Sequence, residues 1–222
     1  MGGFTDRLYA AAAPIWESSH RHPFLTELRE GTLAQDRFAY YMCQDYIYLI
    51  DYAKLFAMGS IKARDLETMG KFAELLDSTL NGEMELHRQY AEKFGISREE
   101  LEATVPSPTT VAYTKFLLDA ASGSLAELVA VLLPCMWSYW EAGTTFMKVP
   151  GALEHPLYKE WILMYGSEEF GALARWCIEE MNRLAEGLPE RELRRLEELF
   201  VTASKFEYLF WDMAYRKEEW PV

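Results

Sequence analysis

Three side chains suited to covalent or proton-transfer chemistry interrupt rows that are otherwise apolar. In the segment LLPCMWSYWEAG, Cys135 shares with Leu128, Leu132, Tyr139, Ala142 and Phe146 a row recurring at three- and four-residue steps, the spacing of one helix face. Asp45 stands in the same kind of row between Phe38, Met42, Leu49, Tyr52 and Phe56, with Tyr41 and Tyr48 one turn away on either side. Glu207 interrupts Leu196, Leu199, Ala203, Phe210 and Ala214. A thiolate is a strong nucleophile, and a carboxyl kept protonated by burial is a general acid. An ionised Asp held by tyrosine hydroxyls can bind the amidine-like edge of a heterocycle, and flat aromatic faces suit a flat substrate. Burial alone raises the pKa of both thiol and carboxyl, so a working thiolate needs a donor or positive charge beside it.

Each group also has an ordinary reading. A cysteine in an apolar helix is often a plain core residue, and an inward carboxylate is often half of a structural ion pair. Metal binding is the rival for the acids. Glu83 and His87 are one turn apart and Glu141 lies near the cysteine, which makes a di-iron carboxylate site conceivable. Ligands for it are scarce, because there are only four histidines and His22 and His155 precede prolines, where helix-start duty explains them. Haem has less to recommend it, with only His20 or His22 as a ligand.

The elements that must carry these residues read as helices almost throughout. Thr5 is expected to cap a first helix with Phe4 as its staple, and His22-Pro23 opens a second that Gly31 closes. A third runs from about Ala34 to Gly59 and a fourth from Asp65 to Gly95. Ser97 with Glu100 caps a brief turn, Ser107-Pro108 starts the helix that holds Tyr113, and Ser124 with Glu127 opens the helix of Cys135. Pro134 removes a backbone donor there and predicts a kink. His155-Pro156 should begin the helix of Tyr165, Ser167 caps the next, and Pro189 starts the last, which ends near Arg216. With no period-two alternation and no fixed repeat, the expected fold is an all-α helical bundle forming a single domain over residues 1–222.

Composition narrows the function. Hydrophobic residues make up 50% of 222 and aromatics 14%, which gives ample material for one large core. Net charge is −13 and no basic stripe exists, so nucleic acid and anionic membranes are excluded as partners. No apolar stretch reaches spanning length without a charge, and Asp6 stands where a signal peptide needs a basic region, so the expected location is cytoplasmic. Cys43, Cys135 and Cys177 make an odd count without a CxxC pair, which implies neither a disulfide framework nor a zinc knuckle.

With these residues assembled, the sequence closely resembles the TenA family, thiaminase II or aminopyrimidine aminohydrolase, in its cysteine-containing branch. The matching pieces are PIWESSHRHPFLTELREGTL, YYMCQDYIYL, HRQYAEKFGI, PTTVAYTKFLL, LLPCMWSYWEAG, WILMYGSEEF and ASKFEYLFWDMAY, in order through nearly the whole chain. The resemblance implies a haem-oxygenase-like all-α fold. It implies Cys135 as nucleophile, Glu207 as acid and Asp45 as the carboxylate that holds the pyrimidine. It also implies Tyr48 and Tyr113 near the thiol, and Tyr139, Tyr165 and Phe210 as lining of the pyrimidine pocket. The implied activity is hydrolysis of 4-amino-5-aminomethyl-2-methylpyrimidine, and of thiamin, in pyrimidine salvage, by a homotetramer needing neither metal nor organic cofactor. A non-catalytic pyrimidine-binding protein and a metal-dependent oxidase are the alternatives from other classes.

Overall fold

Side-chain caps set most helix starts where the spacing predicts them. Ser97 and Glu100 form a reciprocal capping box, as do Ser124 and Glu127, and Asp65, Ser107 and Ser167 each accept from the backbone nitrogen three residues on. Gly31, at φ 72°, ends the second helix in the left-handed conformation that glycine adopts without steric cost. The structure, a computed structural model, describes residues 2–222. Its helices are α1 (Phe4–His20), α2 (Pro23–Glu30), α3 (Gln35–Lys62), α4 (Leu66–Asp77), α5 (Met84–Lys93), α6 (Arg98–Glu102), α7 (Pro108–Ser122), α8 (Leu125–Phe146), α9 (Lys159–Tyr165), α10 (Glu168–Ala185) and α11 (Glu190–Arg216). Among the described residues there is no strand, and no helix is long and apolar enough to cross a membrane. The fold is all-α.

Three local expectations are corrected. Thr5 does not cap α1; it lies within the first turn, where Asn182 accepts from its backbone nitrogen at 2.8 Å and donates to its hydroxyl at 3.0 Å. His155-Pro156 forms a turn, with His155 Nδ1 accepting from Leu157 N, and the helix begins only at Lys159. The long fourth helix is interrupted between α4 and α5 by a π-helical turn, Ser78–Glu83, which a 3.6-residue period cannot reveal.

The helices gather into two compact units, with boundaries inside α8 after Leu128 and inside α11 after Trp211. The first comprises the residues up to Leu33 and Val129–Trp211. Its core is aromatic: Trp16 donates from Nε1 to Ser204 Oγ at 3.1 Å, Phe24 stacks on Trp211, and the Tyr158 hydroxyl donates to the Leu33 carbonyl. Gly143 of α8 lies directly against Gly166 at the end of α9, where a Cβ on Gly143 would come within 2.4 Å of the Gly166 nitrogen. The absent side chain is what allows α9 to approach α8 so closely.

The second unit comprises Ala34–Leu128 and Asp212–Val222. A Cβ on Gly59 would collide with the Phe72 ring, so that glycine lets α4 close onto α3. Phe38, Phe56 and Phe72 are fully buried, each contributing roughly 1.5–3 kcal/mol of transfer free energy. The C-terminal residues bind back along this unit: Trp220 Nε1 donates to the Pro106 carbonyl at 2.9 Å, and Glu218 Oε2 accepts from Thr109 N at 2.9 Å, in the first turn of α7.

Candidate active site

Burial of helix faces determines which groups remain chemically available. From Leu128 to Met136 every residue is buried except Cys135, which is half-buried. The α8 row that carries it thus offers solvent or a ligand access to one thiol in an otherwise closed face. Of the other cysteines, Cys43 is half-buried like Cys135 and Cys177 is buried. Burial, with the Glu180 charge adding to it, pushes the Cys177 thiol far up, and burial also raises Cys43, which lines a surface cavity of about 490 Å³ with Tyr40 and Trp220. A thiol held protonated is a poor nucleophile.

One turn beyond Cys135, Tyr139 is the hub of a ring cluster. Its centroid lies 4.7 Å from that of Tyr165 at 61°, 5.0 Å from that of Trp211 and 5.8 Å from that of Trp161. The Gly143–Gly166 contact creates this: the two glycines follow Tyr139 and Tyr165 on their own helices and bring the rings to contact distance. Glu207 and Phe210 belong to the same unit on α11, buried to 3% and 2% exposure. Their expected row, Leu196, Leu199, Ala203, Phe210 and Ala214, is buried throughout. Cys135, Tyr139, Tyr165, Glu207 and Phe210 are therefore together in the first unit.

Asp45, Tyr48 and Tyr113 are together in the second. Asp45 is 3% exposed, and its Oδ2 accepts from the Tyr41 hydroxyl at 3.0 Å, one turn back on α3. His87 of α5, fully buried, brings Nε2 to 2.8 Å from the same oxygen, while its Nδ1 lies 2.8 Å from the Glu83 carbonyl oxygen. Burial pulls the His87 pKa down, but the hydrogen bond and charge of Asp45 outweigh it and hold the imidazole above its ordinary 6.5. The Tyr48 ring lies 5.2 Å from Tyr113 and stacks on Tyr52 at 5.3 Å.

Gln44, beside Asp45, fixes the approach of α7. Its Nε2 donates to the Val105 carbonyl at 3.0 Å, and its Oε1 accepts from Ser107 N at 2.9 Å and from the Thr110 hydroxyl at 2.8 Å. One buried amide thus ties the Val-Pro-Ser-Pro segment to α3 and sets where α7, the helix of Tyr113, begins.

The metal reading of Glu83, His87 and Glu141 does not fit this geometry. Both His87 nitrogens face protein acceptors, the Glu83 carbonyl and Asp45 Oδ2, and Glu141 Oε1 accepts from the Tyr9 hydroxyl at 3.2 Å. Among the described residues no group of three or more His, Cys, Asp or Glu side chains is placed to hold a metal ion.

The profile of the TENA/THI-4/PQQC family matches residues 9–217. This chain belongs to that family. It is 50% identical over 218 residues to an aminopyrimidine aminohydrolase of Halalkalibacterium halodurans, covering 98% of this chain and 97% of that one. A solved TenA homologue from P. horikoshii superimposes with a TM-score of 0.88 at 30% identity, covering 97% and 99%. A protein of Shewanella denitrificans with a heme oxygenase-like fold matches at a TM-score of 0.75 and 17% identity, over 96% and 92%, which establishes the fold alone.

In this TENA/THI-4/PQQC chain, reading the rows of the sequence passes over two rings that touch the named site residues, Trp161 and Trp211, and takes His87 for a possible metal ligand rather than a partner of Asp45. The tryptophans carried a usable signal, since Trp211 directly follows Phe210 and Trp161 precedes Tyr165 by one turn. The pairing of His87 with Asp45 carried none, because the two lie on different elements.

Proposed function

We propose that this chain is an aminopyrimidine aminohydrolase. Its reaction cleaves the bond between a pyrimidine's exocyclic methylene and its nitrogen leaving group, converting 4-amino-5-aminomethyl-2-methylpyrimidine, and thiamin, to the hydroxymethylpyrimidine. The observation that carries this reading is the half-buried Cys135 in a closed α8 face, one turn from the Tyr139 ring cluster, in a chain half identical to an aminopyrimidine aminohydrolase.

Direct attack of water on the methylene is slow, so a covalent route is favoured. The Cys135 thiolate adds to the ring carbon next to the one bearing the methylene, and a ring nitrogen takes up a proton. The ring electrons then expel the amine, leaving an exocyclic methylene. Water adds to that methylene, the thiolate departs and the ring regains aromaticity. Glu207 supplies and recovers protons, which suits a carboxyl buried to 3% exposure. Asp45 holds the amino-bearing edge, while Tyr139, Tyr165 and Phe210 stack on the ring. The roles of Tyr48 and Tyr113, as donors favouring thiolate, rest on the family resemblance, as does the reading of the two units as one domain. The same reading gives a cytoplasmic homotetramer acting on a small molecule, with no nucleic-acid or membrane partner and no cofactor.

A product assay tests the proposal. Metal-free protein incubated separately with the aminomethylpyrimidine and with thiamin should release hydroxymethylpyrimidine. Saturable binding without product, even at high protein concentration, would replace the hydrolase by a pyrimidine-binding protein.

A further inference from the structure

The His87–Asp45 pair has a proton count that its geometry fixes. Nδ1 faces the Glu83 carbonyl, which can only accept, so Nδ1 carries a hydrogen. Nε2 faces Asp45 Oδ2 at 2.8 Å, so one further proton lies between ring and carboxyl. The groups with charge facing this imidazole are Asp45 from α3 and Glu83 from the π-helical turn, and Tyr41 donates to the same carboxylate oxygen. Every one is acidic or neutral, which favours the proton on the ring. Both donors end on Oδ2, and among the described residues none reaches Oδ1. The carboxylate is held by one oxygen and presents the other.

We propose that His87 is a positioning residue: donating from Nε2 to Oδ2, it keeps Asp45 turned so that Oδ1 accepts from the N–H edge of the bound ligand. This rests on the reading of Asp45 as the pyrimidine-holding carboxylate. The π-helical turn is part of the device. It adds a residue to the helical register just before α5 and ends at the Glu83 carbonyl that anchors Nδ1. His87→Gln retains one donor toward Asp45 and removes the charge. The neutral amide makes a weaker hydrogen bond than a charged donor and holds the carboxylate less firmly in that orientation.

Two measurements test this. Solid-state ¹⁵N spectra of histidine-labelled protein, assigned through single substitutions at His20, His22 and His155, should show both His87 nitrogens protonated at neutral pH and above. An unprotonated nitrogen there overturns the proposal, whatever the protein's activity. In the product assay, His87→Gln should raise KM roughly tenfold, with kcat changing far less. A fall in kcat with KM unmoved contradicts the positioning role. A wild type without turnover contradicts the hydrolase reading instead, and leaves the spectra to decide the pair.

Discussion

Gly143 and Gly166 touch backbone to backbone, and the Tyr139–Tyr165 ring contact depends on it. A Cβ on Gly143 would meet the Gly166 nitrogen at 2.4 Å and the Tyr165 carbonyl carbon at 2.5 Å, neither of which can rotate away. Gly143→Ala should therefore push α9 off α8, cost about 1–3 kcal/mol and raise KM more than it lowers kcat. Thermal unfolding and steady-state kinetics check it; an unchanged Tm would show that the helices yield freely.

Under the proposed mechanism Glu207 transfers protons rather than binding the ring. Glu207→Gln should lower kcat by about 10²–10⁴-fold and remove the limb of the pH profile that reports the carboxyl. The profile is the sharper readout, since a purely structural role lowers activity without changing its shape.

His87 also enters stability. Its folded pKa is raised above 6.5, so the stability its proton confers is fully present below that pH and is lost as pH rises through the folded value. The wild-type unfolding free energy from urea titrations should fall as pH rises above 6.5, by at most about 1.4 kcal/mol per pH unit for one proton. His87→Gln should lack this fall over the same range. Parallel slopes for the two proteins would be inconsistent with a raised imidazole.

The C-terminal residues act on α7. Glu218 Oε2 accepts from Thr109 N at the positive end of that helix, so Glu218→Ala should cost about 1 kcal/mol, read as a lower Tm. Salt should narrow the difference if charge contributes. A Tm identical to wild type would make the contact energetically neutral.

What the sequence reveals and what it hides have one physical cause. Helical rows state which side chains share a face, and the rows of Cys135, Asp45 and Glu207 are buried as their spacing requires. Caps at Ser97, Ser107, Ser124 and Ser167 mark boundaries because the hydrogen bond is local. Thr5 misleads for the converse reason, since its partner Asn182 is 177 residues away; His155 makes the same local bond as the true cap His22, to the nitrogen two residues on, yet no helix follows until Lys159. His87 is invisible as a partner of Asp45 because 42 residues separate them and the π-helical turn shifts the register between. Read by spacing alone, it pairs with the Glu83 side chain and suggests a metal; in the fold it takes the Glu83 backbone.

The central claim is that the Cys135 thiol is the nucleophile of a hydrolase, and it is tested most directly by comparing wild type with Cys135→Ser in two assays on the aminomethylpyrimidine. The wild type should form product, the serine variant should turn over on the order of a thousandfold or more slowly, and pyrimidine affinity by calorimetry should be nearly the same for both. Turnover by Cys135→Ser at the wild-type rate would contradict the assignment.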